Sequence, residues 1–231
     1  MSVFLKSSIG KKFLMSISGL FLITFLLVHL TANLFLLAGS DAYNAAVHFM
    51  DSNPIIQIMQ PVLAIGFILH IAYATILTLQ NQKARPVKYV KVNQKDSSKW
   101  VSRNMYVLGT VIFTFLVIHI INFFWKMKFS GSELLSEVEV NGEMTENAYA
   151  LVTSLFIPKI SGTLAYIYSL IYVIGIISLG LHLYHAIWSA FQTIGLSNKV
   201  WRIRLDYVGG IFAVLIAAGY SIIPLYFVLF Q

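Results

Sequence analysis

Four of the chain's six histidines, His29, His70, His119 and His182, stand inside long apolar runs. An imidazole surrounded by hydrocarbon is costly unless something binds it, so each is a functional-site hypothesis. Two chemistries call for such residues. Imidazole is the commonest metal ligand and suits iron, so four of them on four neighbouring helices point to two haems, each held from both sides. The other chemistry is a proton relay in a transporter or channel; such relays usually include membrane-embedded carboxylates, and the acidic residues here stand outside the apolar runs. In the stretch IGIISLGLHLYHAIW, residues 174–188, Gly175 and Ser178 precede His182 by seven and four positions. Helical periodicity puts them on the face of His182, where small side chains leave room for a flat group. Gly66 stands one turn before His70, while Asn33 and Asn122 follow His29 and His119 by about one turn. His185 shares much of the face of His182, and depth alone does not separate the two.

The elements that must position these residues are membrane helices. Of 231 residues, 58% are hydrophobic and only 11% charged, against about a quarter charged in soluble domains. The absence of cysteine excludes disulfides, iron–sulfur ligation and covalent c-type haem attachment, so any haem is bound non-covalently. The first apolar run is longer than a signal-peptide core and is expected to remain as a span. The net charge of +7 is explained by its distribution along the chain, described below, rather than by nucleic acid, for which no motif is present.

Five stretches reach the ~20 apolar residues that a bilayer requires: 13–37, 55–79, 101–125, 164–190 and 207–230. The fold expected is an all-α membrane protein, a single domain over residues 1–231, with five spans enclosing two stacked haems. Asn53-Pro54 supplies an N-cap and a first-position proline for the second span, and Pro158 and Gly162 mark the approach to the fourth. Thirteen of the 16 Lys and Arg residues fall on one side, in the N-terminus, between spans two and three, and before span five. Cytoplasmic loops carry such an excess, so the N-terminus is expected inside.

Orientation converts position into depth. At ~1.5 Å per residue, His29 and His119 lie roughly 24 and 27 Å from the inner ends of their spans, His70 and His182 roughly 14 and 12 Å. Two levels follow, separated by roughly 12 Å, each with two histidines. His48 and Asp51 lie in the outer connection between spans one and two. Asp51 either accepts hydrogen bonds at the start of span two or handles protons at the outer interface; His48 faces solvent or headgroups, or lines a site with Asp51. The outer segment 126–161 is acidic and long, with a short surface helix expected around 148–156 and no chemical motif.

SIGKKFLMSISGLFLITFLLVHLTANL, NAAVHFMDSNP and LHLYHAIWSAF together make the chain resemble the one-chain, five-helix cytochrome b anchors of succinate dehydrogenases and quinol:fumarate reductases. The resemblance covers nearly the whole chain, including the order of the histidines and the His29-to-Asp51 interval. It implies two b haems, the outer held by His29 and His119 and the inner by His70 and His182. His182, followed by Ile187-Trp188, matches the fourth ligand, which leaves His185 a neighbouring role. It further implies flavoprotein and iron–sulfur subunits on the cytoplasmic face of a bacterial inner membrane. Electrons from succinate pass through the haems to a quinone, with menaquinone the expected type, while the dicarboxylate site belongs to another subunit. Asp51 stands where relatives have an acidic residue of the quinone site, with His48 beside it. Two departures are the long outer segment and Thr193, where some relatives have a basic residue that meets a haem propionate. A di-haem anchor of another oxidoreductase carries the same histidine logic.

Overall fold

A computed structural model describes residues 7–84, 99–196 and 198–231. Lys6, Arg85, Lys88, Lys91, Lys95 and Asp96, which enter the charge count above, lie outside the described residues. Helix α1, Ser8–Leu34, starts where the Ser7 hydroxyl accepts from the Gly10 amide at 3.0 Å, and it tightens into a 3-10 turn over Phe35–Ala38. Helix α2 is Ser40–Ser52, and α3 is Pro54–Lys83. The Asn53 side chain caps α3 by accepting from the amides of Ile55 and Ile56, with Pro54 as the first helical residue. A single turn, α4 (Trp100–Arg103), precedes α5, Met105–His119. Beyond His119 the helix widens into two π turns, Ile120–Phe124 and Lys126–Ser130. Strands β1 (Glu137–Val140) and β2 (Glu143–Glu146) follow, then α6 (Ala148–Ser154), α7 (Pro158–Ser161), α8 (Thr163–Thr193) and α9 (Lys199–Phe230).

Among the described residues, five helical stretches are long and apolar enough to cross a bilayer: Ser8–Ala38, Pro54–Lys83, Met105–Ser130, Thr163–Thr193 and Lys199–Phe230. They run longer than the apolar stretches because their ends are polar and still helical. The last span starts eight residues before Tyr207, since Asn198 caps Val200 and Trp201 and carries WRIRLD into the helix. The third starts four residues after Val101, because Asn104 leaves helical geometry and separates α4 from α5.

Neighbouring spans alternate in direction. Phe21 of α1 meets Gly66 of α3 and Ser18 meets His70; Gly180 of α8 meets Ala217 of α9 while Ile187 meets Gly209. Small residues set these approaches: a Cβ on Gly180 would stand 3.0 Å from the Ala217 methyl, and one on Gly66 only 2.8 Å from the Phe21 ring. Lipid offers helices no hydrophobic reason to associate, so close backbone packing of this kind carries much of the cohesion. At the N-terminal end of the bundle, Lys99 binds both carboxylate oxygens of Asp206, at 2.6 and 2.7 Å, and also the Tyr184 hydroxyl. Burial opposes the Lys99 charge, but the Asp206 and Tyr184 oxygens outweigh it and hold the ammonium above its ordinary range.

The opposite end is capped. The connection expected as an outer loop around His48 is instead the thirteen-residue helix α2, whose alternating exposure suits an interface between apolar core and water. Leu36, Tyr43, Ala148, Val152, Phe156, Tyr172, Ile176, Ile223 and Phe227 pack α2 and α6 onto the ends of the spans. Burial pushes the Tyr43 phenol well above its usual value. The expected surface helix is α6, and it is mostly buried. The chain also contains a hairpin, β1 pairing antiparallel with β2 from Glu137 opposite Glu146 to Val140 opposite Glu143. Its two-residue turn, Asn141-Gly142, has positive φ at both positions, the combination that Asn-Gly favours.

One fully buried side chain ties the cap together. Asn44 donates to Ser40 Oγ and to Asn147 Oδ1 and accepts from the Tyr149 amide at 2.8 Å, while Asn147 caps α6 through the Ala150 amide. Asn44→Ala removes the acceptor of the Tyr149 amide and both of Asn44's buried donor bonds, at a cost of ~1–3 kcal/mol. A lower thermal unfolding midpoint in detergent is expected, with the five spans' helical signal retained at room temperature.

Candidate functional site

Each of the four intramembrane histidines meets one other. The rings of His29 on α1 and His119 on α5 lie 5.8 Å apart between centroids, nearly perpendicular at 84°. Those of His70 on α3 and His182 on α8 lie 6.3 Å apart at 70°. Four separate spans therefore contribute one imidazole each to two pairs.

Aromatic rings wall the first pair. Phe25 stacks on His29 at 5.1 Å, and Tyr220 lies 5.9 Å from it; Phe115, Phe123 and Tyr172 surround His119 at 5.8, 5.2 and 6.0 Å. Asn33 donates to the His29 carbonyl at 2.8 Å, with the same amide 3.4 Å from His29 Nε2. Asn122 is buried and donates to the Tyr172 hydroxyl instead of the histidine it follows. Around the second pair, His70 Nδ1 is 3.3 Å from Ser18 Oγ, and Gly19 lets the His70 ring approach α1, since a Cβ there would stand 3.4 Å from its Cε1. Among the described residues, three buried side-chain polar atoms lack a hydrogen-bond partner: Nδ1 of His119, Nδ1 of His182 and Oγ of Ser169. Two of the three thus belong to the paired imidazoles, where an unmade bond is expensive.

The two pairs stand at different heights. Along α1, Ser18 touches His70 and His29 touches His119; eleven residues separate them, or roughly 16 Å of rise. Along α8, Tyr172 marks the first pair and His182 the second, ten residues or roughly 15 Å apart. Both helices give a larger separation than the 12 Å expected from sequence, because apolar runs locate helix ends less well than side-chain contacts locate depth.

The chain is 25% identical over 175 residues to the succinate dehydrogenase cytochrome b558 subunit of Bacillus subtilis (strain 168). The match spans 75% of this chain and 73% of that relative. No protein-family profile matches the chain, and no solved structure matches it.

Several expected neighbours of the histidines act elsewhere. Gly175 does not open space beside His182: a Cβ there would run into the Phe115 ring, so the glycine admits that ring between α5 and α8, next to His119. The seven-residue interval that puts Gly175 on the face of His182 also lifts it roughly 10 Å, to the level of the other pair. Ser178 Oγ bonds back to the Ile174 carbonyl at 2.9 Å. Gly66 admits Phe21, and Thr193 bonds to the Ser189 carbonyl in its own helix. His185 packs edge-on against Trp188 at 5.3 Å and faces the charges of Lys99 and Asp206.

His48 and Asp51 lie three residues apart on α2; His48 has a partner from the hairpin and Asp51 one from the end of the third span. His48 Nε2 is 3.0 Å from Glu143 Oε2 on β2, and Lys128 Nζ is 2.7 Å from Asp51 Oδ1. A cavity of about 460 Å³ between α2 and the hairpin is lined by Ala45, His48, Phe49, Val140, Glu143 and Thr145, among others. The outer segment, expected to carry no chemistry, therefore contributes both countercharges. Asn141-Gly142 between EVEV and EMTE was the signal that could have placed Glu143 on a strand facing α2. Ser18, Gly19, Phe115, Tyr172 and Tyr220 were invisible as site residues, since nothing in an apolar helix marks which face meets a distant histidine.

Gly175→Val forces Phe115 from its place between α5 and α8 and is expected to destabilise the bundle by ~1–3 kcal/mol. Ser178→Ala removes only a bond within α8 and should stay within ~0.5 kcal/mol of the parent. Thermal unfolding of both variants in one detergent checks the contrast; equal midpoints contradict the close approach at Gly175.

Proposed function

We propose that the chain is the membrane anchor and electron-transfer subunit of a succinate:quinone oxidoreductase, binding two b haems through His29 with His119 and His70 with His182. The observation that carries the proposal is the meeting of four imidazoles from four spans as two pairs at two heights. The similarity to a succinate dehydrogenase cytochrome b subunit supports the complex to which such an anchor belongs.

The pairs fit the group. Ring centroids 5.8 and 6.3 Å apart bring the two imidazoles of each pair close enough that both would hold one metal ion. A pair falls short of the four ligands of a closed zinc site and suits an iron that brings its remaining ligands with it. Ser18 Oγ, whose own hydrogen goes to the Met15 carbonyl, can accept from His70 Nδ1 and leave Nε2 for the metal, while His119 and His182 each have a buried Nδ1 with no competing partner. When bound, haem supplies reversible one-electron chemistry at each level. The chain's own part is to bring the imidazoles together from four spans, to orient His70 by its bond to Ser18, and to exclude water with Phe25, Phe115, Phe123, Tyr172 and Tyr220.

The N-terminal end of the bundle is taken to face the cytoplasm of a bacterial inner membrane, with flavoprotein and iron–sulfur subunits docked on its basic segments. Menaquinone is then handled at the opposite end, beside α2. Asp51 is the carboxylate there that exchanges protons with the quinone, with His48 as helper. An electron moving from a negative inside to a positive outside gains about 2.3 kcal/mol per 100 mV, which assists reduction of a low-potential quinone by succinate.

Difference spectra of the intact complex test the pairing. His70→Ala and His182→Ala should remove one b-haem signal, and His29→Ala and His119→Ala the other; loss of the same signal in the His29 and His70 variants refutes it. His185→Ala should keep both. Asp51→Asn should slow succinate–quinone turnover by roughly 10²-fold or more, while haem spectra and succinate oxidation by artificial acceptors stay unchanged. Normal quinone turnover in that variant reduces Asp51 to a residue of the helix end.

A further inference from the structure

The stretch between His119 and Lys128 is the only part of a span, among the described residues, that leaves α geometry for more than one turn. π turns are rare, appear mostly singly, and recur at functional sites, because they cost stability and persist where side-chain placement compensates. Here two occur in succession, directly after His119. Each residue of a π turn advances less around the helix axis than one of an α-helix, so residues after His119 fall on faces that an α-helical continuation would not give them. Two polar side chains benefit. Asn122 is turned inward, buried, onto the Tyr172 hydroxyl, and Lys128 is turned toward α2, where its ammonium meets Asp51 Oδ1 at 2.7 Å.

The pair is open to solvent, with side-chain exposures of 33% for Lys128 and 39% for Asp51. Of the remaining cations at this end, Lys126 and Lys159 form no ion pair among the described residues, so proximity to an acidic segment does not by itself produce the contact. Asp51 is also gripped through its backbone, since Gln57 Nε2 donates to its carbonyl at 2.6 Å across the α2–α3 junction. Asp51 is thus held at its backbone by α3 and at its carboxylate by the continuation of the helix that bears His119. An ion pair this exposed contributes little to stability, so stability alone is a poor reason for two successive π turns.

We infer that Lys128 is the positioning residue for Asp51, and that the π-helical continuation of the third span exists to bring its ammonium to that carboxylate, fixing it relative to His119. The inference rests on the proposed role of Asp51 at a quinone site. Lys128 acts through Asp51 and need not touch the quinone: it holds one carboxylate oxygen and leaves the other free to exchange a proton.

The test uses the intact complex in membranes and compares Lys128→Met, Lys128→Arg, Asp51→Asn and the double variant Asp51→Asn with Lys128→Met. Lys128→Met is expected to lower kcat for succinate–quinone turnover by roughly ten- to a hundredfold, with both haem spectra and artificial-acceptor activity intact. Lys128→Arg, which keeps charge and reach, should recover most of the rate. In the double variant the Lys128 change should cost nothing further, since a residue that acts only through Asp51 has nothing left to position. Should Lys128→Met fail to assemble, Lys128→Gln is read the same way. If Asp51→Asn is inactive but Lys128→Met turns over like the parent, or if the two losses multiply, the positioning role is overturned while the quinone site stands. If Asp51→Asn itself keeps its rate, the quinone reading falls and the inference with it.

Discussion

An imidazole in hydrocarbon has nowhere to place its nitrogens, and the arrangement of this bundle depends on that constraint. A soluble core can hydrate or neutralise a stray histidine; a membrane span must give it a partner from another span or a ligand. Four spans each carry one, and they meet two by two. The rest of the transmembrane region is organised around keeping those meetings close. Gly19 and Gly66 bring α1 against α3 beside His70, and Gly175 lets Phe115 wedge in beside His119. Gly180 and Gly209 set α9 directly on α8, so that Tyr220 of the last span, which bears no histidine of its own, reaches His29 and anchors to the Leu26 carbonyl.

The two ends of the bundle solve different problems. At the N-terminal end the chain is polar and basic, and the internal charge contact among the described residues is the Lys99–Asp206 pair, which fastens the entry of the third span to α8 and α9. At the opposite end α2, the hairpin and α6 form a lid with its own small core and a buried amide network centred on Asn44. That lid is built from the long acidic segment that distinguishes this chain's spacing between His119 and His182. Its charges are not merely solvating: Glu143 and Lys128 reach back to His48 and Asp51 of α2.

The number of spans, the caps at Asn53 and Asn198, and the identity of the four intramembrane histidines follow from local chain properties: length of apolar runs, the geometry of Asn-Pro, and the cost of a polar ring in lipid. Depth was legible as well, because helical rise is constant, and the rings that a depth count puts together are those in contact in the folded chain. Contacts between elements were not legible. Gly175 and Ser178 share a helical face with His182, yet one serves the other histidine pair and one serves its own helix. Helical periodicity gives the angle of a side chain about its own axis, but which neighbour stands at that angle is decided by the packing of all five helices together.

The sequence alone thus determined a five-span chain with histidine in four of its spans, one each in the first three and two in the fourth, since those features depend only on hydrophobicity and rise per residue. Tertiary structure decided the π turns after His119, the pairing of Lys128 with Asp51 and of Glu143 with His48, and the aromatic walls around each pair. Each of these joins residues tens of positions apart whose meeting depends on relative helix rotation and register. No local propensity encodes that rotation; it is the outcome of where glycines allow backbones to approach and where buried polar atoms find partners.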